Sequence, residues 1–194
     1  MQCIAVIGLG NIAKRHRANI KNMFPRAKVL AMSASGRVPE SFVENADEFV
    51  RDISTVISQK IDFAIVASPS TYHAAHTVPL LEAGIPVLIE KPVTASSVDA
   101  VWLKKVQLNS NLSSKIAVGY CLRYLPSAIL MKKLLDQNII GNVHNVFTNV
   151  GQFLPEWRDD KEYKNSVSAK TSLGGGALLE LSHELDYLLW FFGD

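Results

Sequence analysis

A chain of 194 residues with formal net charge +2 and 48% hydrophobic residues exceeds one average domain, and its near-balanced charge offers no broad basic surface to nucleic acid or to an anionic membrane. Its two cysteines, Cys3 and Cys121, suit neither a disulfide framework nor a metal-ligand spacing, and no Cys/His pattern suggests zinc. No basic leader precedes the first apolar run, and the most apolar late stretch, 177–192, carries Glu180, His183, Glu184 and Asp186, so a reducing, cytoplasmic setting without a membrane span is expected.

Apolar runs and helix-compatible segments then alternate. Strands are expected near 3–8, 28–33, 61–67, 86–89 and 115–119, with helices near 11–23, 46–59, 71–83 and 95–109. Runs such as Phe63-Ala64-Ile65-Val66-Ala67 are apolar throughout, the pattern of a parallel sheet covered on both faces. The fold class is therefore α/β, a doubly wound parallel sheet of Rossmann type. Beyond residue 120 the pattern changes. A helix is expected over 126–138, a strand-like run over 143–153, a polar irregular stretch over 155–172 and a periodic helix from 177 to 192.

The turn after the first strand reads Gly8-Leu9-Gly10-Asn11-Ile12-Ala13 and opens the first helix. G-x-G-x-x-A in that context is a dinucleotide-binding turn. Gly8 permits the tight bend, Gly10 lets the backbone approach a pyrophosphate, and Ala13 lets the helix pack on its strand. Helix N–H groups then meet the phosphate charge, so Gly8, Leu9, Gly10, Asn11 and Ile12 are assigned to the cofactor. The basic residues Lys14, Arg15, Arg17 and Lys21 read as a solvated helix face that adds positive potential.

The second strand ends in Ser33-Ala34-Ser35-Gly36-Arg37, with no carboxylate before Glu40 to accept the ribose hydroxyls of NAD. Ser33, Ser35 and Arg37 suit a 2′-phosphate, so NADP is preferred over NAD. Glu90-Lys91-Pro92 follows the strand at 86–89, at the carboxyl edge where ligands of such sheets bind. A cis bond at Pro92 would fix the Lys91 backbone. A partly buried Lys91 beside a cationic nicotinamide is suited to proton transfer.

Further segments follow in order: Ala67-Ser68-Pro69-Ser70 with His73, Glu82-Ala83-Gly84, Gly119-Tyr120 with Arg123-Tyr124 and Pro126, and Gly174-Gly175-Gly176 with His183 and Asp186. With the opening turn, His16 and Glu90-Lys91-Pro92, the whole chain resembles the glucose-fructose oxidoreductase/inositol dehydrogenase (Gfo/Idh/MocA) family. The resemblance implies an NAD(P)-dependent oxidoreductase that moves hydride between nicotinamide and a carbinol carbon of a sugar, nucleotide sugar or polyol. It places Ser68, Pro69, His73, Glu90, Lys91 and Arg123 among the cofactor contacts. Lys91 would stand near the substrate hydroxyl and His183 would be the general acid/base.

Two departures stand out. Glu180 lies three residues before His183, one fewer than the family's aspartate, while Asp186 fits its H-x-x-D. Either Glu180 or Asp186 is a candidate to orient His183. Cys121 also stands where relatives carry asparagine.

On the last helix, Leu178, Leu181, Leu185, Leu188, Leu189 and Phe192 share one face and Glu180, His183, Glu184 and Tyr187 the opposite arc. The preceding triple glycine favours close approach of a ligand. His76 and His144 read as ordinary surface or half-buried residues, and Trp157-Arg158 as a candidate lining of the substrate side. We expect a dinucleotide-binding domain at 1–120 and a partial substrate or oligomerisation domain at 121–194. One strand makes no sheet, so the second region is expected to pair with another chain, as in a homo-oligomer, or to belong to something larger. The alternative is a dinucleotide-binding sensor or interaction module without catalysis, or an inactive fragment of an enzyme.

Overall fold

The computed structural model describes residues 2–109, 116–157 and 162–193, and the chain divides into two compact units, Met1–Gly119 and Tyr120–Asp194. In the first unit, β1 (Cys3–Ile7), β2 (Lys28–Met32), β3 (Glu48–Val50), β4 (Phe63–Val66), β5 (Val87–Ile89) and β6 (Ile116–Val118) form one sheet. Every pairing is parallel and the order is β3-β2-β1-β4-β5-β6. Helices α1 (Asn11–Met23), α2 (Ile53–Ser58), α3 (His73–Glu82) and α4 (Ser97–Asn109) lie in the crossovers. The strand order reverses between β1 and β4, which creates a crevice at their carboxyl ends.

Alternation within single strands explains the continuous apolar runs. Ala5 and Ile7 of β1 join Leu30, Val66, Ile89 and helix residues Val78, Leu81 and Leu103 in one buried cluster. Ile4 and Val6 join Val29, Ile65 and the α1 residues Ala13 and Ile20 in another. Side chains of consecutive strand residues point to opposite faces, and both faces are covered here.

The helix expected over 46–59 is instead the three-residue strand β3 followed by α2. Asp52 starts α2, its side chain accepting the Thr55 N–H at 2.8 Å. An Asx cap before residue 53 stops the helix from extending back, and Glu48–Val50 pairs with Leu30–Met32 instead. Three residues are too few to display an alternating strand pattern.

In the second unit the helices are α5 (Pro126–Asp136), α6 (Ala177–Glu180) and α7 (His183–Phe192), with short 3-10 turns before α5 and between α5 and α6. The run 143–153 carries no strand, and Phe147 is 86% exposed. A strand exists only through the ladder it shares, and no other strand occurs among the described residues of this unit. The periodic helix expected over 177–192 is broken at Leu181 and Ser182. Burial does not follow the apolar face: Leu178, Leu185, Leu189 and Phe192 are exposed, while Leu181 and Leu188 are half-buried, as are Glu180, His183, Glu184 and Asp186.

No described helix is long and apolar enough to cross a membrane.

Candidate cofactor and catalytic site

The turn between β1 and α1 is shaped by contact with the end of β4. Gly8 has φ +125°, and a Cβ on it would lie 2.3 Å from the Ala67 carbonyl oxygen. Its N–H donates to the Met32 carbonyl at 2.7 Å, so the turn rests on both neighbouring strands. Gly10 differs: it is exposed, and a Cβ there would meet nothing within 4 Å. The start of α1 has no side-chain cap and no acidic residue in its first turn. An open, uncapped helix N-terminus with room above it fits a dinucleotide phosphate. Leu9 is half-buried, and Asn11 and Ile12 are exposed at the rim. Ala13 is fully buried against the core.

Arg17 corrects the reading of a solvated basic face. It is buried, with Nε donating to the Glu44 carbonyl at 2.9 Å and Nη1 to the Gly8 carbonyl at 3.3 Å. Burial pulls its pKa down, and Glu44 opposes this. The guanidinium thus braces the glycine turn from beneath. Ala13, Arg17 and Ile20 follow helical spacing, the signal that marks Arg17 as inward-facing.

At the end of β2, Ser33 is buried while Ser35, Gly36 and Arg37 are exposed. The hydroxyls of Ser33 and Ser35 are 3.5 Å apart, and the Gly36 N–H reaches back to the Ser33 carbonyl at 3.4 Å. The turn therefore presents the exposed Ser35 hydroxyl and Arg37 at the rim of the same carboxyl edge.

After β4, Ser68 and Ser70 are buried and Pro69 is half-buried. His73 is only 1% exposed, with Nδ1 2.9 Å from the Pro92 carbonyl and Nε2 2.8 Å from the Ser68 carbonyl. Both nitrogens face main-chain carbonyls at the exits of β4 and β5, so neither is presented to a cofactor, and the neutral ring donates its one N–H to one of the two. Burial lowers its pKa, and the Ser68 and Pro92 carbonyls partly oppose this. His76, expected as an ordinary surface or half-buried residue, is buried against Ser68, with Nδ1 3.1 Å from Oγ and its ring stacked on Tyr72 at 5.7 Å. Burial and then the neighbouring His73 push its pKa down to about 4.

Beyond β5, the Lys91–Pro92 peptide is cis and Lys91 is half-buried. Glu90 Oε1 lies 2.7 Å from His16 Nε2, and Glu90 Oε2 accepts the Lys91 N–H at 3.2 Å. Burial raises the Glu90 pKa, but His16 and Lys91 together hold it below the usual carboxylate range.

In the second unit, the triple glycine serves the chain's own packing. A Cβ on Gly175 would lie 2.3 Å from the Val167 carbonyl oxygen and 2.6 Å from that of Ser168. The close approach is backbone to backbone. His183 opens α7, with the Tyr120 ring edge-on at 5.6 Å. Arg123 makes a two-pronged pair with Asp186, both contacts at 2.7 Å. The guanidinium expected at the cofactor and the carboxylate considered for His183 are thus bonded to each other. Cys121 is exposed. Trp157 is half-buried, and Arg158 lies outside the described residues. Among the described residues, no group of three or more His, Cys, Asp and Glu converges as metal ligands.

The sequence model for an oxidoreductase family with an NAD-binding Rossmann fold matches residues 3–118, and that for the family's C-terminal alpha/beta domain matches residues 132–194. The chain belongs to the Gfo/Idh/MocA family. It is 26% identical to an inositol 2-dehydrogenase/D-chiro-inositol 3-dehydrogenase of Halalkalibacterium halodurans, over 97% of this chain and 52% of that protein. It is 29% identical to a glucose-6-phosphate 3-dehydrogenase of Bacillus subtilis, over 98% of this chain and 53% of that protein. In fold it matches scyllo-inositol dehydrogenase from Lactobacillus casei, solved with NAD(H) and scyllo-inositol, at a TM-score of 0.76 and 23% identity. That match covers 100% of this chain and 56% of the other. This Gfo/Idh/MocA chain therefore spans about half the length of the relatives it matches.

Proposed function

We propose that this chain carries the cofactor-binding and proton-handling residues of an NAD(P)-dependent dehydrogenase acting on a sugar or polyol. The observation that carries the reading is the uncapped N-terminus of α1, which opens beside Gly10 at the reversal of strand order. Positive dipole, space and backbone donors coincide there, as a dinucleotide phosphate requires. The inositol and glucose 6-phosphate dehydrogenases among its relatives support the substrate class.

Ser33, Ser35 and Arg37 would hold a 2′-phosphate, which makes NADP the preferred form. Nicotinamide, when bound, supplies the hydride acceptor or donor. Lys91 polarises the substrate hydroxyl and His183 moves its proton. Glu180, the last residue of α6, or Asp186, which is paired with Arg123, orients His183. Residues 1–119 form the cofactor domain, and 120–194 contribute to the substrate domain.

The test is direct binding of NADPH and NADH to the chain, followed by turnover with inositols and glucose 6-phosphate. Binding of NADPH with no turnover in Lys91→Ala supports the assignment. A protein that binds neither dinucleotide removes it.

A further inference from the structure

We propose that His16 is a positioning residue for Lys91, acting through Glu90; the role of Lys91 rests on the function proposed above. A lysine that polarises a hydroxyl has four rotatable side-chain bonds, so the reach of its ammonium depends on how firmly its backbone is held. Misplacement by about 1 Å at a reacting centre costs on the order of a hundredfold in rate.

The two neighbours of Lys91 in sequence are both held. On the Pro92 side, the buried His73 ring lies against the Pro92 carbonyl at 2.9 Å. On the Glu90 side, the carboxylate divides its oxygens between the His16 ring, 2.7 Å from Oε1, and the Lys91 N–H, 3.2 Å from Oε2. Both side chains of the His16–Glu90 pair are largely buried, at 17% and 14% exposure. Gly119 also lies beside the pair: a Cβ there would come within 3.3 Å of the carboxylate. Glycine at 119 leaves space for the carboxylate that a side chain would crowd, and His16 is the side chain bonded to it there.

His16 sits on α1, the helix whose N-terminus is assigned to the cofactor phosphate. It lies five residues beyond Asn11, about 7–8 Å along the helix axis. The Glu90 link therefore references the Lys91 backbone to the same rigid element that receives the dinucleotide. A lysine held only by its own strand end would lack that common reference.

The experiment measures reductive methylation of individual lysines in the full chain, by peptide mass spectrometry, in parent, His16→Asn and His16→Gln. The Gln amide nitrogen matches the position of imidazole Nε2, whereas Asn falls one methylene short. In His16→Asn, Lys91 is expected to label about threefold faster or more, as local opening predicts, while Lys21 and Lys28 keep their parental rates. In His16→Gln the parental Lys91 rate returns. A general loosening would raise all three rates together and overturn the proposal, as would an unchanged Lys91 rate in His16→Asn. If His16→Asn fails to fold, Glu90→Gln carries the same comparison, because it keeps an acceptor for the Lys91 N–H but weakens the bond to His16. Failure of the parent to bind dinucleotide overturns the proposed function and the role of Lys91 with it, whereas the labelling pattern judges His16 separately.

Discussion

Arg123 and Asp186 form a fork-to-fork pair, Nε to Oδ2 and Nη2 to Oδ1, that joins the 3-10 turn at 121–124 to α7. The guanidinium also lies 5.6 Å from the centroid of the Trp190 ring. Asp186 stands one helical turn beyond His183, so this pair sets the rotation of the helix that carries the imidazole. Arg123→Lys keeps the charge but loses the planar fork. It is expected to cost about 1 kcal/mol, below the usual range for charge-assisted bonds because Arg123 is 40% exposed. A double-mutant cycle with Asp186→Asn in urea unfolding should return a coupling of similar size. A coupling near zero contradicts the pairing.

The two glycines of the first turn are expected to respond differently to substitution. Gly8→Ala combines a left-handed backbone with a 2.3 Å clash against the Ala67 carbonyl oxygen. It should destabilise the fold by about 3 kcal/mol. Gly10→Val, with open space around its Cβ, should leave the unfolding midpoint nearly unchanged while weakening NADPH binding about tenfold or more. Parallel losses in both variants would show that Gly10 is structural.

Arg37 tests the choice of cofactor. Arg37→Ala is expected to weaken NADPH binding about tenfold, the worth of one charge-assisted contact to phosphate. NADH binding should stay within about twofold. Equal loss of both would remove Arg37 from the 2′-phosphate site.

His76 makes stability depend on pH. In the unfolded chain the ring titrates near its ordinary 6.5, whereas burial holds it at about 4 in the folded protein. Between those values the unfolded state binds more protons, so the stability due to the neutral ring is complete above pH 6.5. It is lost as pH falls toward 4, by about 3 kcal/mol in all. Urea unfolding from pH 7 to pH 4 should show this slope, and His76→Phe should flatten it by roughly that amount. His73 is shifted in the same direction, so part of the slope remains in the variant. An identical slope in parent and variant would show that His76 contributes nothing.

Much of the first unit was legible in the chain itself. Continuous apolar runs identified β1, β2, β4 and β5 because both faces of the sheet are covered there, the Ile-Ala-Val run marked the half-buried edge strand β6, and the Gly8–Ala13 turn stood in its strand-to-helix context. The short β3 escaped because three residues carry no period and its only signal was the Asp52 cap beside it. Arg17 and His76 escaped for a different reason. Residue type favours the surface for both, and only three-dimensional neighbours, the Gly8 and Glu44 carbonyls and Ser68, make burial tolerable.

The last helix divides the two kinds of information most clearly. Sequence periodicity determined which residues of α7 share a face: Leu185, Leu188, Leu189 and Phe192 on one side, His183, Glu184 and Tyr187 on the other. It did not decide which face turns inward, because helical period is the same for either. Tertiary structure left His183 and Glu184 half-buried and Leu185, Leu189 and Phe192 exposed, with Tyr120 against His183 and Arg123 paired to Asp186. In the same way, local sequence established Glu90-Lys91-Pro92 as a turn at a strand end. Only the fold brought His16 and His73, from two separate helices, to either side of Lys91, since that meeting depends on packing across a sheet rather than on spacing along a chain.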